Sequence, residues 1–554
     1  MLLTKYKKRR KTMRGLMMDM PLTLQMLMRH AEQVNPTTEI VSVTSDNPRH
    51  RYTFKDAFNR TRQLANALKK LGVEQGDFIG TLAWNDYRHF EIYFATGCGG
   101  AICHTINPRL FPEQIEYIVN HGEDKWLMVD PDFVPLLEQL EDKLPAVQGY
   151  IVLTSKDNMP ATKLSNVHCY EELIAGESTE FNWPEIDEND ACGMCYTSGT
   201  TGNPKGVVYS HRALVLHTYA GCMPDVMNIS IRDTIMPIVP MFHVNAWNMP
   251  YAAAMVGCKL VFPGSHMGNP ETLQNLIEEE QVTFSAGVPT VWLGLLAYLA
   301  KTEKQITSLE RVVVGGAACP LSIMEDFENK HDVYTHVGWG MTEMSPLGTL
   351  NSLPRPRESY TDVEYASARV RAGRPVCGVE MKIVDEDNNE LPWDGIAFGT
   401  LKVRGPWICA EYFKLDKSAS DDDGWFDTGD VANINADGSM QITDRTKDVI
   451  KSGGEWISSI ELENCAVDHP AVAEAAVIGA YHPKWSERPL LIVVKNEGMD
   501  IDRDSMLEFM TDKVAKWWLP EDVVFIDELP HTATGKIQKV KLREHFADYK
   551  FPNT

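Results

Sequence analysis

Apolar periodicity that switches repeatedly between the helical and the strand kind is the feature of this sequence that most restricts its fold. Thr53, with Asp56 three residues on, has the form of a capping box. Behind it Phe54, Ala57, Phe58, Ala65, Leu68 and Leu71 recur at helical spacing until Gly72 ends the run. Phe78 to Ala83 then reads as a buried strand, Arg88 to Gly97 as a helix and Ile102 to Thr105 as another strand. The alternation returns around Tyr150 to Leu153, Arg311 to Val314 and Tyr334 to Val337. Strands spaced by helices are expected to pair in parallel, under a cover of those helices. A chain of 554 residues is too long for one core, so at least two domains are expected.

The character changes after about Arg374. Val379 to Val384, Gly399 to Val403 and Val431 to Ile434 read as short strands, with Asp437-Gly438 as a hairpin signal. From Asp444 a last α+β segment offers a helix at Ser458 to Val467, strands at Val472 to Ile478 and Leu490 to Val494, and a helix through Asp504 to Trp517.

Charge and cysteine usage remove whole classes of function. The 53 basic against 77 acidic residues leave a net charge of -24, which repels phosphate backbones and argues against bulk nucleic-acid binding. Eleven cysteines, scattered from Cys98 to Cys465, do not form a disulfide framework and point to a reducing compartment. Cys192 and Cys195 have C-x-x-C spacing without a second pair, and read as buried thiols on a strand. No apolar run is long enough to span a bilayer. The basic residues from Lys5 to Arg14 precede a Met-rich stretch that Asp19 interrupts, unlike a secretory signal. They read first as a solvated tail, or as sequence ahead of a start at Met13 or Met17. The sharper alternative is an arm that touches anionic lipid.

The richest segment is Tyr196-Thr197-Ser198-Gly199-Thr200-Thr201-Gly202-Asn203-Pro204-Lys205-Gly206. Small residues let the backbone approach an anion, hydroxyls donate to it and Lys205 adds charge, a combination that suits a polyphosphate. Pro204 stands where a Walker loop needs glycine before its lysine.

This segment resembles the phosphate loop of the adenylate-forming enzymes, which include acyl-CoA synthetases, luciferases and the adenylation domains of peptide synthetases. Other motifs follow in that family's order. Gly315-Gly316-Ala317-Ala318 resembles its adenine turn, and Gly338-Trp339-Gly340-Met341-Thr342-Glu343 the motif that faces adenine, the α-phosphate and magnesium. Trp425 to Asp430 ends in the acid that holds ribose hydroxyls, and Asp444 to Asp448 resembles the hinge. Pro530 to Lys539 resembles the loop that carries the essential lysine.

The resemblance implies an α/β fold: a large N-terminal domain of helix-covered, mostly parallel sheets with a small β-barrel-like subdomain, then a small mobile α+β C-terminal domain. It implies a basic extension over 1–12, an adenylation domain over 13–444 and a mobile domain over 445–554 with its hinge near Lys447. It implies ATP and Mg2+, with CoA as co-substrate. Thr197, Ser198, Gly199, Thr200, Thr201 and Lys205 would cradle phosphates. Gly315, Gly316, Ala317, Gly338, Trp339, Gly340, Met341, Asp430 and Arg445 would line the rest of the nucleotide site. Glu343, with Thr200 beside it, would face the metal, since magnesium prefers one or two carboxylates plus phosphate oxygens. Lys536 would bridge the acyl oxygen and the α-phosphate, with Thr342 alongside.

On the acyl side, Pro240 to Trp247 reads PMFHVNAW and is similar to the substrate segment of fatty acyl-CoA synthetases. Phe242-His243 stands where amino-acid-activating domains carry Phe-Asp, so an uncharged acid fits better. His243, Trp247 and Trp339 are the candidates to wall its pocket, and the resemblance makes His243 a candidate catalytic residue as well. Lys451, Ser452, Gly453, Gly454 and Trp456 resemble the turn that meets the pantetheine arm of CoA. Gly399-Thr400-Leu401 departs from the family's Gly-Glu-Leu and leaves open how Arg404 is paired.

The whole is similar to prokaryotic medium- and long-chain acyl-CoA ligases and to the related 3-(methylthio)propionate ligases. The expected function is AMP-forming acid–CoA ligation in the cytoplasm. A homodimer and a weak peripheral membrane contact stay open, as do three other readings: loading of a carrier protein, oxygenation after adenylation, and ligand binding without catalysis.

Overall fold

The computed structural model describes residues 15–197, 203–452, 455–511, 513–531 and 537–552. The capping box forms: Thr53 N–H donates to Asp56 Oδ2 at 3.0 Å and Asp56 N–H to Thr53 Oγ1 at 3.3 Å. It starts a helix, Phe54–Lys70, whose Phe54, Phe58, Leu64 and Leu68 are buried. The helix Tyr87–Gly99 touches strands of both large sheets and is buried almost all round. That explains why it lacks the polar stripe of a surface helix.

Two large sheets make up the first 375 residues or so, and both are parallel at their centres as the alternation predicts. In seven strands the order runs Val167–Cys169, Gly149–Val152, Trp126–Val129, Phe78–Leu82, Ile102–Thr105, Ala191–Tyr196, Gly206–Ser210. Only the last pair is antiparallel. The nine-stranded sheet has a parallel centre built from Tyr334–Gly340, Arg311–Val314, Phe284–Gly287, Thr234–Pro237, Lys259–Phe262 and Glu39–Ser42, with antiparallel strands at its edges.

The smaller subdomain is an antiparallel meander of Glu380–Val384, Phe398–Arg404, Phe426–Ile434 and Met440–Arg445. Arg404, whose partner the sequence left open, pairs with Glu380 directly across the ladder at 2.6 Å. The last segment forms a five-stranded sheet around Val472–His482 and Ser486–Lys495, with the helix Ser459–Val467 against it. One expected element is shorter than predicted. The helix expected to reach Trp517 ends at Met510, where Thr511 turns extended. Beyond it, Trp517 is drawn under the Arg488 guanidinium (4.7 Å) and edge-on to Trp485 (4.9 Å), contacts a continued helix would have to give up.

All eleven cysteines are free thiols, eight of them buried, with Cys377 exposed. Cys192 and Cys195 lie on the strand Ala191–Tyr196, whose register shifts between Ala191 and Gly193, and both are buried in the same apolar core. Cys195 contacts Thr105 Oγ1 at 2.9 Å.

Candidate active site

The strands Ala191–Tyr196 and Gly206–Ser210 form a hairpin whose loop is the candidate phosphate loop. Tyr196 pairs with Gly206, and Thr197 N–H donates to the Lys205 carbonyl at 2.9 Å, closing the loop at its base. Ser198, Gly199, Thr200 and Thr201 lie outside the described residues, as do Gly453, Gly454 and Lys536. Lys205 Nζ sits 4.7 Å over the Tyr412 ring. The Tyr412 hydroxyl donates to Glu343 Oε1 at 2.8 Å, so one tyrosine joins the loop's lysine to the candidate metal-facing carboxylate.

Thr342 and Glu343 follow the strand Tyr334–Gly340 in a tight 3-10 turn and are both buried, so Glu343 is no exposed capping residue. Tyr209 donates to the Thr342 carbonyl at 2.7 Å, and Cys409 N–H to the Glu343 carbonyl at 2.7 Å. Burial raises the Glu343 carboxyl above its ordinary range, opposed by the Tyr412 hydrogen bond and the charges of Arg445 and Lys205. Among the described residues no group of three His, Cys, Asp or Glu could hold a metal unaided. A single buried carboxylate beside a phosphate loop nevertheless fits magnesium, which takes most of its ligands from phosphate and water.

Asp430 lies opposite Arg445 in the meander and is 3% exposed. Its Oδ1 accepts from Arg445 Nε at 2.9 Å and its Oδ2 from the Trp339 indole Nε1, also at 2.9 Å. Gly340 has no room for a side chain, since a Cβ there would stand 2.1 Å from the Pro346 carbonyl oxygen. Gly316 has φ +81°, in the region glycine tolerates, next to Ala317 at the end of the strand Arg311–Val314.

The acyl candidates sit on an unusual turn. Val244, Asn245, Ala246, Trp247 and Asn248 all have φ between +46° and +62°, a left-handed turn built without glycine. Trp247 is half-buried and its ring reaches the adenine-turn candidate: a Cβ on Gly315 would lie 2.8 Å from Trp247 Cη2 and 3.2 Å from the Gly338 carbonyl. His243, immediately before the turn, is exposed rather than packed in a core. Below the turn, His217 contacts Asn248 Nδ2 at 2.9 Å and accepts from Leu347 N–H at 3.0 Å, so it too ties the turn to the strand Leu347–Leu350.

The CoA candidates divide. Lys451 is exposed, pairs with Glu386 at 2.5 Å and lies 5.2 Å over Trp456. Ser452 is fully buried and its hydroxyl accepts from Arg488 at 3.3 Å. Lys447 follows Arg445 in a turn closed by Val449 N–H on the Arg445 carbonyl at 2.8 Å, and Asp448 pairs with Arg543 at 2.7 Å. The residues that sequence reasoning missed are Tyr412 and Tyr209. Each reaches the site through its hydroxyl from a strand or loop that carries no local signal.

The AMP-binding enzyme family model matches residues 28–413, and its C-terminal domain model matches 461–536. The chain is 50% identical to a 3-methylmercaptopropionyl-CoA ligase of Ruegeria lacuscaerulensis, covering 97% of this chain and 99% of the relative. It is 46% identical to a medium-chain-fatty-acid–CoA ligase of Ectopseudomonas oleovorans, over 97% and 98%. Among solved structures, the anthranilate CoA ligase AuaEII with anthranoyl-AMP superimposes with a TM-score of 0.82 at 27% identity, over 95% and 98%. The chain belongs to the AMP-binding enzyme family. Within it, the chain is an acid–thiol ligase that forms AMP as it makes an acyl-CoA.

Proposed function

We propose that the acid is a small apolar one, 3-(methylthio)propionate in the first place, and that a single site serves both half-reactions. The observation that carries this reading is Trp247, half-buried, with its ring against the backbone of Gly315 beside the candidate nucleotide turn. The 50% identity with a ligase of that acid supports it. A medium-chain fatty acid is the second reading, favoured by the 46% identity with a ligase of such acids.

In the first step a carboxylate oxygen bonds to the α-phosphorus of ATP, the bond to the β-phosphate oxygen breaks, and pyrophosphate leaves. Thr197, Lys205 and the loop between them reduce the charge of the leaving group, while Thr342 and Lys536 draw the two anions together. Asp430 and Arg445 hold the ribose. Glu343 would hold magnesium, which neutralises phosphate charge when bound. In the second step the C-terminal domain turns about Lys447, taking Lys536 away and bringing the 451–456 turn over the acyl-adenylate. The CoA thiol loses its proton, its sulfur bonds to the acyl carbon, and AMP departs. Eleven unpaired cysteines fit work in the cytoplasm, and no described helix is long and apolar enough to cross a membrane.

The deciding experiment is CoA-dependent AMP release across propionate, 3-(methylthio)propionate, octanoate and palmitate. A peak at the thioether acid is expected; a peak at octanoate selects the second reading, and one at palmitate rejects both. Lys536→Ala should abolish acyl-AMP formation yet spare CoA transfer from supplied acyl-AMP. Equal loss of both half-reactions would reject the two-step assignment.

A further inference from the structure

We infer that Trp339 is a positioning residue for nucleotide selection: its indole N–H fixes the Asp430 carboxylate on the ribose and so sets preference for ribose over deoxyribose. The inference rests on the reading of Asp430 as the ribose acid and goes beyond it by assigning how that acid is aimed.

The geometry holds the indole at both ends. Its pyrrole N–H donates to Asp430 Oδ2 at 2.9 Å. Its benzo edge is wedged over Gly348, where a Cβ would stand 2.5 Å from Cζ3 and 2.7 Å from Cε3. Met344 crowds the same spot, 2.6 Å from that Cβ. A ring pinned by its benzo edge cannot rotate in its plane, so the direction of the N–H is fixed.

The bond also joins separate sheets. Trp339 lies on Tyr334–Gly340, a strand of the nine-stranded sheet, whereas Asp430 and Arg445 belong to the meander. Arg445 comes from the meander itself and is 46% exposed on its side chain, so it carries charge to Asp430 but is a looser guide. The indole alone of these two donors refers Asp430 to the frame that carries Thr342 and Glu343. A carboxylate accepts about four hydrogen bonds, so the indole need not leave when a hydroxyl arrives.

An indole meets both demands, with a ring face and a donor. A phenyl ring would offer the nucleotide a similar apolar face and has no donor. Trp339→Phe should therefore cut the ATP-to-2′-deoxy-ATP ratio of kcat/KM by about tenfold, whatever it does to turnover with either nucleotide alone. A residue that served only as a platform for the base would weaken both nucleotides alike. An unchanged ratio therefore overturns the inference.

Asp430→Ala, measured beside it, separates the two levels. It should bring the ratio close to one. If it does not, the ribose assignment falls and the inference with it. If it does while Trp339→Phe leaves the ratio intact, Trp339 alone loses its role. Should Trp339→Phe fold poorly, Trp339→3-benzothienylalanine keeps the ring area, replaces N–H by sulfur, and must show the same loss of discrimination.

Discussion

Gly340→Ala should be among the most damaging single substitutions in the chain. The new methyl would meet backbone, the Pro346 carbonyl at 2.1 Å and its carbon at 2.8 Å, which cannot rotate aside. Trp339 on one side and Thr342 on the other would move with the displaced strand. A loss of about 3 kcal/mol in urea unfolding is expected, together with loss of acyl-AMP formation; a variant within about 0.5 kcal/mol of the parent would contradict the packing. Gly340 was legible in the sequence as part of a motif, but its reason was not, because the oxygen it avoids lies six residues on across a bulged antiparallel turn. The same holds for Asp430 and Arg445. Their types suggested nucleotide contacts, whereas their pairing depends on a ladder register that one sequence does not contain. Tyr412 was invisible for the same reason: a tyrosine between a glutamate and a phenylalanine says nothing about where its hydroxyl ends.

Among elements, the turn from Val244 to Asn248 departs furthest from what local sequence prefers. Five left-handed residues without a glycine store strain that neighbouring packing must hold. Ala246 and Ala67 make a controlled pair. Both are buried, and each loses one methyl on substitution, but Ala246 has φ +50° while Ala67 sits inside a regular helix. Ala67→Gly should lower unfolding free energy by about 1–2 kcal/mol, whereas Ala246→Gly should stay within about 0.5 kcal/mol of the parent. Equal losses would mean that the turn is unstrained. Elements whose signals are local were readable: the capping box at Thr53 and the strands at Ile102 and Arg311 fall where periodicity puts them. The helix expected through Trp517 failed because Trp517 answers to Arg488 and Trp485, residues some thirty positions earlier.

The response of the whole molecule to pH follows from what it buries. Burial holds His50, His89, His211 and His336 down at about 4, and His217 at about 3. An unfolded chain titrates its histidines near 6.5. Between these values the unfolded state binds more protons, so the contribution of each is whole above about pH 6.5 and is lost as pH falls toward about 4. Asp86, raised to about 6 by burial, works the other way over part of that range. A single substitution isolates one imidazole. His217→Gln keeps an acceptor for Leu347 N–H and should flatten the fall of stability between pH 6.5 and 4 by up to about 1.4 kcal/mol per unit. Urea midpoints at intervals across that range give the slope, and parallel curves for the two proteins would refute the assignment.

The distribution of thiols gives this protein a clock of its own opening. Cys377 alone is exposed, Cys222 and Cys409 are half-covered, and the other eight are enclosed. A thiol reagent should therefore consume one equivalent at once and two more slowly. The remaining eight should be released only at the rate at which the enclosing structure breathes, each tagged position timing the unit that surrounds it.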